Sequence, residues 1–553
     1  MSLLRRSWRL LEGPERWRYV LLSLADALVQ LLDIAFLAAL LLLVKRLLQK
    51  ESIGPFPVPL LLLLFFAAFL VKNGCGLTVQ RALHTLAGRV SLRLSGRQLE
   101  ACQQAAHAEF LHSDTSVLIR KVNFHPVEFA HYILLGLQQI AAQLLLIAAS
   151  VVAVLLYDPA LFALVVAVLL PPAFFLFRGI KRRIDRSKDT VKDANEASLR
   201  CLLDALKGQP EAKVYGRQEF FRDRYLHARR RFSNAYFGMM GWQQWPARSL
   251  ETVAVLGLLL LLGFSLQRPD TGAYLLLRAG AFLAAAYKVI PGLVKIIGAS
   301  GQLRAWSFTL DDAPPRQEQP VASGPIRKLE VSGLSYAWDR KPLLENLSFE
   351  AFPGDIVLLE SPSGSGKTTL LHLLLGFIEP QAGAVRINGV RVRPGNAAAF
   401  WTRTAYVRQD AFLIQDSVAR NITLEDEPLD SQRLQVVLRA TGLSRMLAAT
   451  GDTFHKQVLE NGRNLSGGQQ QRIALARALY RRADLYLLDE PFNELDRAAV
   501  DELQALLQDE AAAGKIVIVV THQPETIPGA RRIRIHGKQA QPDRTDHARL
   551  RSL

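Results

Sequence analysis

Apolar residues gather in long runs within the first 300 positions of this chain and thin out afterwards, and this segregation limits the possible folds more than any other feature. Six runs stand at about 19–44, 58–80, 132–157, 159–180, 247–266 and 272–300, each near or above the ~20 residues a helix needs to cross a bilayer. The first continues from Tyr19 past Leu43, too long for a secretory signal, and no small-residue cleavage pattern follows it, so it reads as a span that stays in the product. The second begins after the turn-rich SIGPFPVP, and the sixth is interrupted by Arg278, Lys288 and Lys295.

Two long polar intervals, about 81–131 and 178–246, lack loop composition and keep helix-forming Ala, Leu, Arg, Lys and Gln, which predicts helical extensions of the spans. From Arg178 to Arg231 there are 16 Lys/Arg against 8 Asp/Glu, whereas the connections at the opposite ends are short. The positive-inside tendency therefore puts the N-terminus, both intervals and everything after residue 300 in the cytoplasm; Lys45, Arg46 and Lys50 count the other way but are few. A net charge of +17 would by itself suit nucleic acid or an anionic membrane surface. Its placement at the ends of spans removes the need for nucleic acid. Cys75, Cys102 and Cys201 are scattered without a CxxC or a His/Cys cluster, so neither a disulfide framework nor a zinc site is expected.

The stretch 311–325 is Pro-rich, polar and aperiodic, a linker by composition. After it, KLEVSGLSYAW, DIVLLE, AYVRQ, LYLLDE and KIVIVVTH are short apolar runs separated by helical stretches, the alternation of an α/β domain with a largely parallel sheet. The expected division is a membrane domain over 1–310, a linker over 311–325, an α/β domain over 326–536 and a polar tail over 537–553. The fold class is thus a multi-domain membrane protein, a six-helix transmembrane domain followed by an α/β domain.

DIVLLE is followed by SPSGSGKTTLLHLLLG, a phosphate loop except at its first position, where Ser361 replaces glycine. In the run Ser363, Gly364, Ser365, Gly366, Lys367, Thr368 and Thr369, the glycines let backbone N–H groups approach phosphates at a helix N-terminus. Lys367 would reach the β- and γ-phosphates, and the Thr368 hydroxyl would hold Mg²⁺. Downstream, LYLLDEP ends a strand in Asp489, suited to the Mg²⁺ shell, and Glu490, suited to orient or deprotonate an attacking water.

NLSGGQQQRIALARAL, Asn464 to Leu479, resembles the signature of ATP-binding cassette proteins, with Leu465, Ser466, Gly467, Gly468 and Gln469 all in place just before the Asp489–Glu490 strand. The resemblance assigns further positions. Tyr336 matches the aromatic that stacks on adenine, and Gln409 the glutamine that touches Mg²⁺ and links the site to the membrane domain. Asp496 matches the aspartate of the loop facing a partner cassette, although Asn493 and Glu494 replace small residues there, and His522 matches the γ-phosphate histidine. Six spans with two helical excursions before one cassette resemble a half-size exporter of this family, and Glu460 and Gly462 match an element found before the signature in exporters.

That resemblance implies ATP and Mg²⁺ as cofactors, Glu490, His522 and Gln409 in catalysis, and Thr368, Gln409 and Asp489 around the metal. It also implies a second chain. One chain has one loop and one signature, and the family closes each ATP between two cassettes, so a homodimer is expected, with a heterodimer open. The expected location is a bacterial inner membrane with the cassette and both termini cytoplasmic.

For substrate, Lys288 and Lys295 lie seven apart, close to one face of the last span with Pro291 between them, and each mid-membrane charge costs ~2.5–3.5 kcal/mol. Either Asp26 and Asp33 neutralise them, or they form a cationic cavity for an anionic head group. AAAYKVIPGL, KVYGRQEFF and PARSLETVAVLGLL resemble the lipid-linked oligosaccharide flippase branch, implying export or flipping of an anionic amphiphile. A peptide or drug exporter, or a membrane-anchored regulatory ATPase that moves nothing, are the alternatives.

Overall fold

The computed structural model describes residues 2–48, 58–105, 107, 110, 114–266, 272–310, 324–338, 341–360, 366–426, 430–493, 495–522, 527–536 and 539–542. The chain divides into two compact units, one of 1–104 with 113–316 and one of 105–112 with 317–553.

The first unit is helical throughout. α1 (Ser2–Leu10) precedes α2 (Gly13–Leu48) and α3 (Val58–Gln104). A helical stretch from Thr115 contains two wider π-type turns, Arg120–Phe124 and Phe129–Leu134, before continuing as α4 (Leu135–Tyr157). Then come α5 (Pro159–Lys207), α6 (Gln209–Val214), α7 (Gln218–Leu266) and α8 (Gly272–Ala305). Each of the six apolar runs falls in one long helix, and three of these stretches, Gly13–Leu40, Pro59–Gln104 and Thr115–Leu156, are long and apolar enough by length and composition to cross a membrane among the described residues. The helices also continue beyond the runs. α3 extends to Gln104, while α5 and α7 each span 49 residues, so the described residues of the polar intervals are largely helical.

Prolines do not break these helices: Pro171 and Pro172 lie inside α5, Pro246 inside α7 and Pro291 inside α8. Large apolar side chains face outward, as lipid requires of a span; Leu63, Phe66 and Val71 are 62%, 58% and 68% exposed. Inside, Leu250 and Phe282 are fully buried and gather Ala286, Val289 and Ile290 around them. Gly257 of α7 marks a close approach, since a Cβ there would lie 2.8 Å from both Phe282 of α8 and Val168 of α5.

The two aspartates of the first apolar run have partners on neighbouring helices and on their own. Asp33 forms an ion pair with Lys72 of α3, a charge the sequence reading passed over inside the second run. Asp26 accepts hydrogen bonds from Gln30 and Gln138 Nε2, both at 2.7 Å. A neighbouring helix thus supplies the counter-charge at Asp33, and amide donors satisfy Asp26. Lys295 is exposed, and the Lys288 side chain lies outside the described residues.

The second unit holds two sheets. An antiparallel four-stranded sheet runs in the order β2-β1-β4-β5, with β1 Leu329–Trp338, β2 Lys341–Ala351, β4 Ala382–Ile387 and β5 Val390–Arg391. A six-stranded sheet runs β10-β9-β3-β8-β7-β6, with β3 Ile356–Glu360, β6 Thr404–Val407, β7 Leu485–Asp489, β8 Ile516–Thr521, β9 Arg531–His536 and β10 Gln539–Pro542. Its β9, β3, β8, β7 and β6 are parallel neighbours, and only β10 is antiparallel. The five strand runs read from the sequence are β1, β3, β6, β7 and β8; β2, β4 and β5, which pair with β1 in a separate antiparallel sheet, and β9 and β10, the last beyond residue 536, were not foreseen.

Alternate residues of the parallel strands enter two separate cores. Leu358, Leu488, Val517 and Val519 pack with helices α10 (Val418–Thr423), α11 (Ser431–Ala440), α12 (Gly467–Tyr480) and α13 (Arg497–Ala512). Val357, Leu359, Leu487, Ile518 and Val520 pack on the other face against α9 (Lys367–Leu374) and the antiparallel sheet. A strand covered on both faces needs an unbroken apolar run, and this is why DIVLLE and KIVIVVTH do not alternate.

Candidate nucleotide site

Parallel pairing aligns the carboxyl ends of four strands, the edge where open α/β sheets place their ligands. Glu360 pairs with Thr521, Asp489 with Val520 and Leu488 with Val407. This register brings α9 after β3, Asp489–Glu490 at the end of β7, His522 just past β8 and Gln409 just past β6 to one edge.

There the side chains meet. Lys367, the first residue of α9, forms an ion pair with Glu490 Oε1, and both are buried. His522 Nδ1 lies 3.2 Å from the same oxygen, and Asn493 donates through Nδ2 to Glu490 Oε2. The Thr368 hydroxyl donates to Asp489 Oδ2 at 3.2 Å. Burial pushes the Glu490 carboxyl up, but hydrogen bonds from Lys367 and Asn493 and the charge of Lys367 outweigh it and hold the group below the usual carboxylate range. Asp489 goes the other way: burial and the adjacent Glu490 charge raise it, against the pull of Thr368 and Lys367. Two neighbouring carboxyls thus have separate electrostatic characters.

The backbone supports this placement. Glu490 has φ +48, left-handed and uncommon for a residue with a Cβ, and its N–H donates to Val520 O at 2.8 Å. Gly366, which caps α9, has φ +91, and a Cβ there would meet Leu343 at 3.1 Å.

The remaining expected residues take other positions. Gln409 is exposed past β6, and Tyr336 is half-buried in β1 against the core. Ser466 caps α12: its hydroxyl accepts from the Gln469 N–H at 3.3 Å while Gln469 Oε1 accepts from the Ser466 N–H at 3.1 Å, a capping box that leaves Gly467 and Gly468 at an exposed helix start. Gln470 Nε2 ties that start to Gly462 O at 3.0 Å, in the turn Glu460–Gly462. Asp496 caps α13 by accepting from the Ala499 N–H at 2.9 Å. No hydrogen bond or ion pair joins Ser466 or Asp496 to the Lys367–Glu490 cluster among the described residues. Thr369 follows Thr368 in α9, whereas Ser361, Ser363, Gly364 and Ser365 lie outside the described residues. Asn493, which holds the second oxygen of Glu490, carries a role that sequence reading missed; its departure from the small residue usual in the family was the available signal.

Two family models match, one described as the ABC transporter transmembrane region over residues 20–277 and the other as ABC transporter over residues 344–493. The chain belongs to the ABC transporters. With both parts in one chain, this transporter is a half-size exporter that binds and hydrolyses ATP. It is 29% identical over 483 residues to an ATP-dependent lipid A-core flippase of Burkholderia orbicola (strain AU 1054), covering 84% of this chain and 79% of that one. A protein of the same name from Bordetella avium (strain 197N) is 25% identical, covering 84% and 80%. Another from Burkholderia pseudomallei (strain 1710b) is 30% identical over 388 residues, of which the transporter spans 64% of the relative's length. Among solved structures, a bacterial Atm1-family ABC exporter with ATP bound aligns with a TM-score of 0.77 at 18% identity, over 95% of this chain and 93% of that one, which shows the same fold.

Proposed function

We propose that this exporter moves an anionic amphiphilic lipid across a bacterial inner membrane, as a homodimer that closes two ATP molecules between its cassettes. The observation that carries the ATP half of this reading is the meeting of Lys367, Thr368, Asp489, Glu490 and His522 at one sheet edge. The lipid half is supported by the flippase relatives and by the outward apolar helices.

In this reading the loop 361–366 and the start of α9 cradle the phosphates through backbone N–H groups, and Lys367 supplies the positive charge. Phosphate and Glu490 then compete for one ammonium. Glu490 polarises the attacking water and accepts its proton, for which its depressed proton affinity keeps it ionised at neutral pH. His522, beside Glu490, contacts the γ-phosphate, and Tyr336 stacks on the adenine. Ser466, Gly467, Gly468 and Gln469 cover the phosphates of the partner copy's ATP, and Asp496 faces that copy. Their exposed helix start, whose capping box is complete within itself, supports a role toward a second chain.

The residues fit Mg²⁺. Thr368 and Asp489 offer two hard oxygens at hydrogen-bond distance, and Asp489 sits where burial and a neighbouring negative charge favour added positive charge. With Gln409 they would hold the ion, which when bound neutralises charge on the β- and γ-phosphates. Lys295, exposed on α8, with Lys288 on the same helix, is the candidate contact for an anionic head group.

Reconstituted vesicles test the reading. ATP-dependent movement of a labelled anionic lipid is the expected result; ATP hydrolysis without movement of any lipid, peptide or drug candidate would favour a regulatory ATPase. Replacing Lys288 and Lys295 together by Gln is expected to lower lipid movement while basal hydrolysis persists, and undiminished movement would remove them from the substrate path.

A further inference from the structure

Both helical excursions and the segment after α8 border a cavity of about 520 Å³ in the first unit, none of whose lining residues belongs to the nucleotide site. Its volume falls in the range of small-molecule pockets. Aromatic rings make much of the wall: Tyr132 stacks on Trp306 with centroids 4.8 Å apart and planes 4° apart, and Phe232 stacks on Tyr236 at 5.5 Å and 20°. The π-type turns Arg120–Phe124 and Phe129–Leu134 shift the helix register just here, so residues from both turns reach the same wall.

The polar groups of this wall are incompletely used. Arg120 is only 2% exposed, and a single amine, Nη1, serves Lys192 O at 2.9 Å and Glu196 Oε1 at 3.2 Å. Nε and Nη2, the side-on edge of its fork, have no acceptor among the described residues, although the guanidinium carbon lies 5.0 Å from the Phe308 ring centroid. Among the same residues Trp306 Nε1 also lacks an acceptor, and Glu128 Oε2 lacks a donor. Buried polar atoms are nearly always paired, and leaving one unmade costs more than a made bond returns. Three such residues around one aromatic-walled cavity are a donor edge, a second donor and an acceptor.

We infer that this cavity is a binding site for a small aromatic anion that also carries a hydrogen-bond donor. A carboxylate matches the Nε–Nη2 edge two-pronged. A hydroxyl or amine matches Glu128, and the ring slides between the stacked aromatics, where offset stacking is favourable. The four orphaned atoms on these three residues lie beside the cavity out of reach of water, so the ligand engages them with a rotamer change of Arg120 and Glu128. This site does not depend on the substrate or the dimer proposed above.

The probe is 6-hydroxy-2-naphthoate, measured by equilibrium dialysis against the full chain in lipid nanodiscs with empty nanodiscs subtracted. Saturable binding of about one molecule per chain is expected, with 2-naphthol, which lacks the carboxylate, about ten-fold or more weaker. Arg120→Lys keeps a cation for Glu196 but removes the fork and is expected to weaken binding by a similar factor. Leu202→Trp fills the cavity from the α5 side and is expected to abolish it, with retained ATP hydrolysis showing that the variant is folded. If Arg120→Lys fails to fold, Trp306→Phe keeps the ring and removes one donor, and is expected to weaken binding by a few-fold. No saturable binding above empty nanodiscs, equal binding of 2-naphthol, or undiminished binding by Leu202→Trp would each overturn the inference.

Discussion

Glu490 is held from three sides, by the Lys367 ammonium and the His522 imidazole at one oxygen and by the Asn493 amide at the other, on a backbone with φ +48. A side chain so fixed is set up to orient a water rather than to search for one. Glu490→Gln keeps the shape and loses the base, so ATP turnover is expected to fall about 10²–10⁴-fold. Because the substitution also frees Lys367 from an ion pair, ATP binding measured by filter retention is expected to be equal or tighter; near-normal turnover would remove Glu490 from the chemistry. A second residue-scale prediction concerns acid. Burial, the neighbouring His107 ring and the Arg408 charge push His372 down from 6.5 to about 4. His372 and His107 meet edge to face at 4.8 Å, and His107 stacks on Phe377 at 4.5 Å. The folded cassette therefore keeps this imidazole neutral at a pH where the unfolded chain would protonate it. Its contribution to stability is complete above pH 6.5 and is lost as pH falls toward 4, because there the unfolded state binds more protons. The ring is not fully shielded, and after allowance for solvent screening the loss is about 1–2 kcal/mol. His372→Phe, which keeps an aromatic edge, is expected to flatten this acid sensitivity, read as hydrogen exchange of Lys367–Leu374 between pH 6.5 and 4.

At the scale of elements, legibility followed the number of faces an element buries. β3, β7 and β8 are covered on both sides and announced themselves as unbroken apolar runs, and the spans did so by length. β2 and β4 pack one face, mix Glu, Lys, Arg and Gly into the run, and gave no such signal. The phosphate-site residues were legible because loop, carboxylates and histidine all follow strands. The Asp33–Lys72 ion pair was not, because its two members lie on different helices, which sequence spacing along one helix cannot reveal. Close helix approach was equally hidden. A glycine in an apolar run reads as a weak helix former, yet Gly257 is where α5, α7 and α8 come within a methyl group of one another. Gly257→Val is expected to push Phe282 and Val168 aside, at a cost of about 1–3 kcal/mol for overpacking. The measurable result is a lower midpoint for detergent-solubilised unfolding, with Gly263→Val, where a Cβ meets nothing within 4 Å, as the control. Equal midpoints would show that the three helices do not pack at Gly257 as described.

For the whole molecule, the arrangement of the cassette bears on how many chains make one site. Lys367, Thr368, Asp489, Glu490 and His522 converge, but Ser466 opens an exposed helix whose capping box is complete within itself. A two-fold pair of chains would place each phosphate cluster against the other chain's Ser466, and a self-contained chain would not. The two cases separate when damaged copies are mixed. Lys367→Ala destroys the phosphate side and Ser466→Arg the signature side, so either variant alone is expected to be inactive. In a mixed dimer one site combines the intact Lys367 of one chain with the intact Ser466 of the other, while the second site carries both lesions. Random pairing makes half the dimers mixed with one working site in two, so co-reconstitution is expected to restore up to about a quarter of the unmodified ATP turnover. Recovery should rise and fall with the proportion of mixed pairs, reaching its maximum at equal input of the two variants. No recovery at any ratio, with each variant still binding ATP and assembling, would mean that the sites are not shared between chains, and the symmetric homodimer would have to be abandoned.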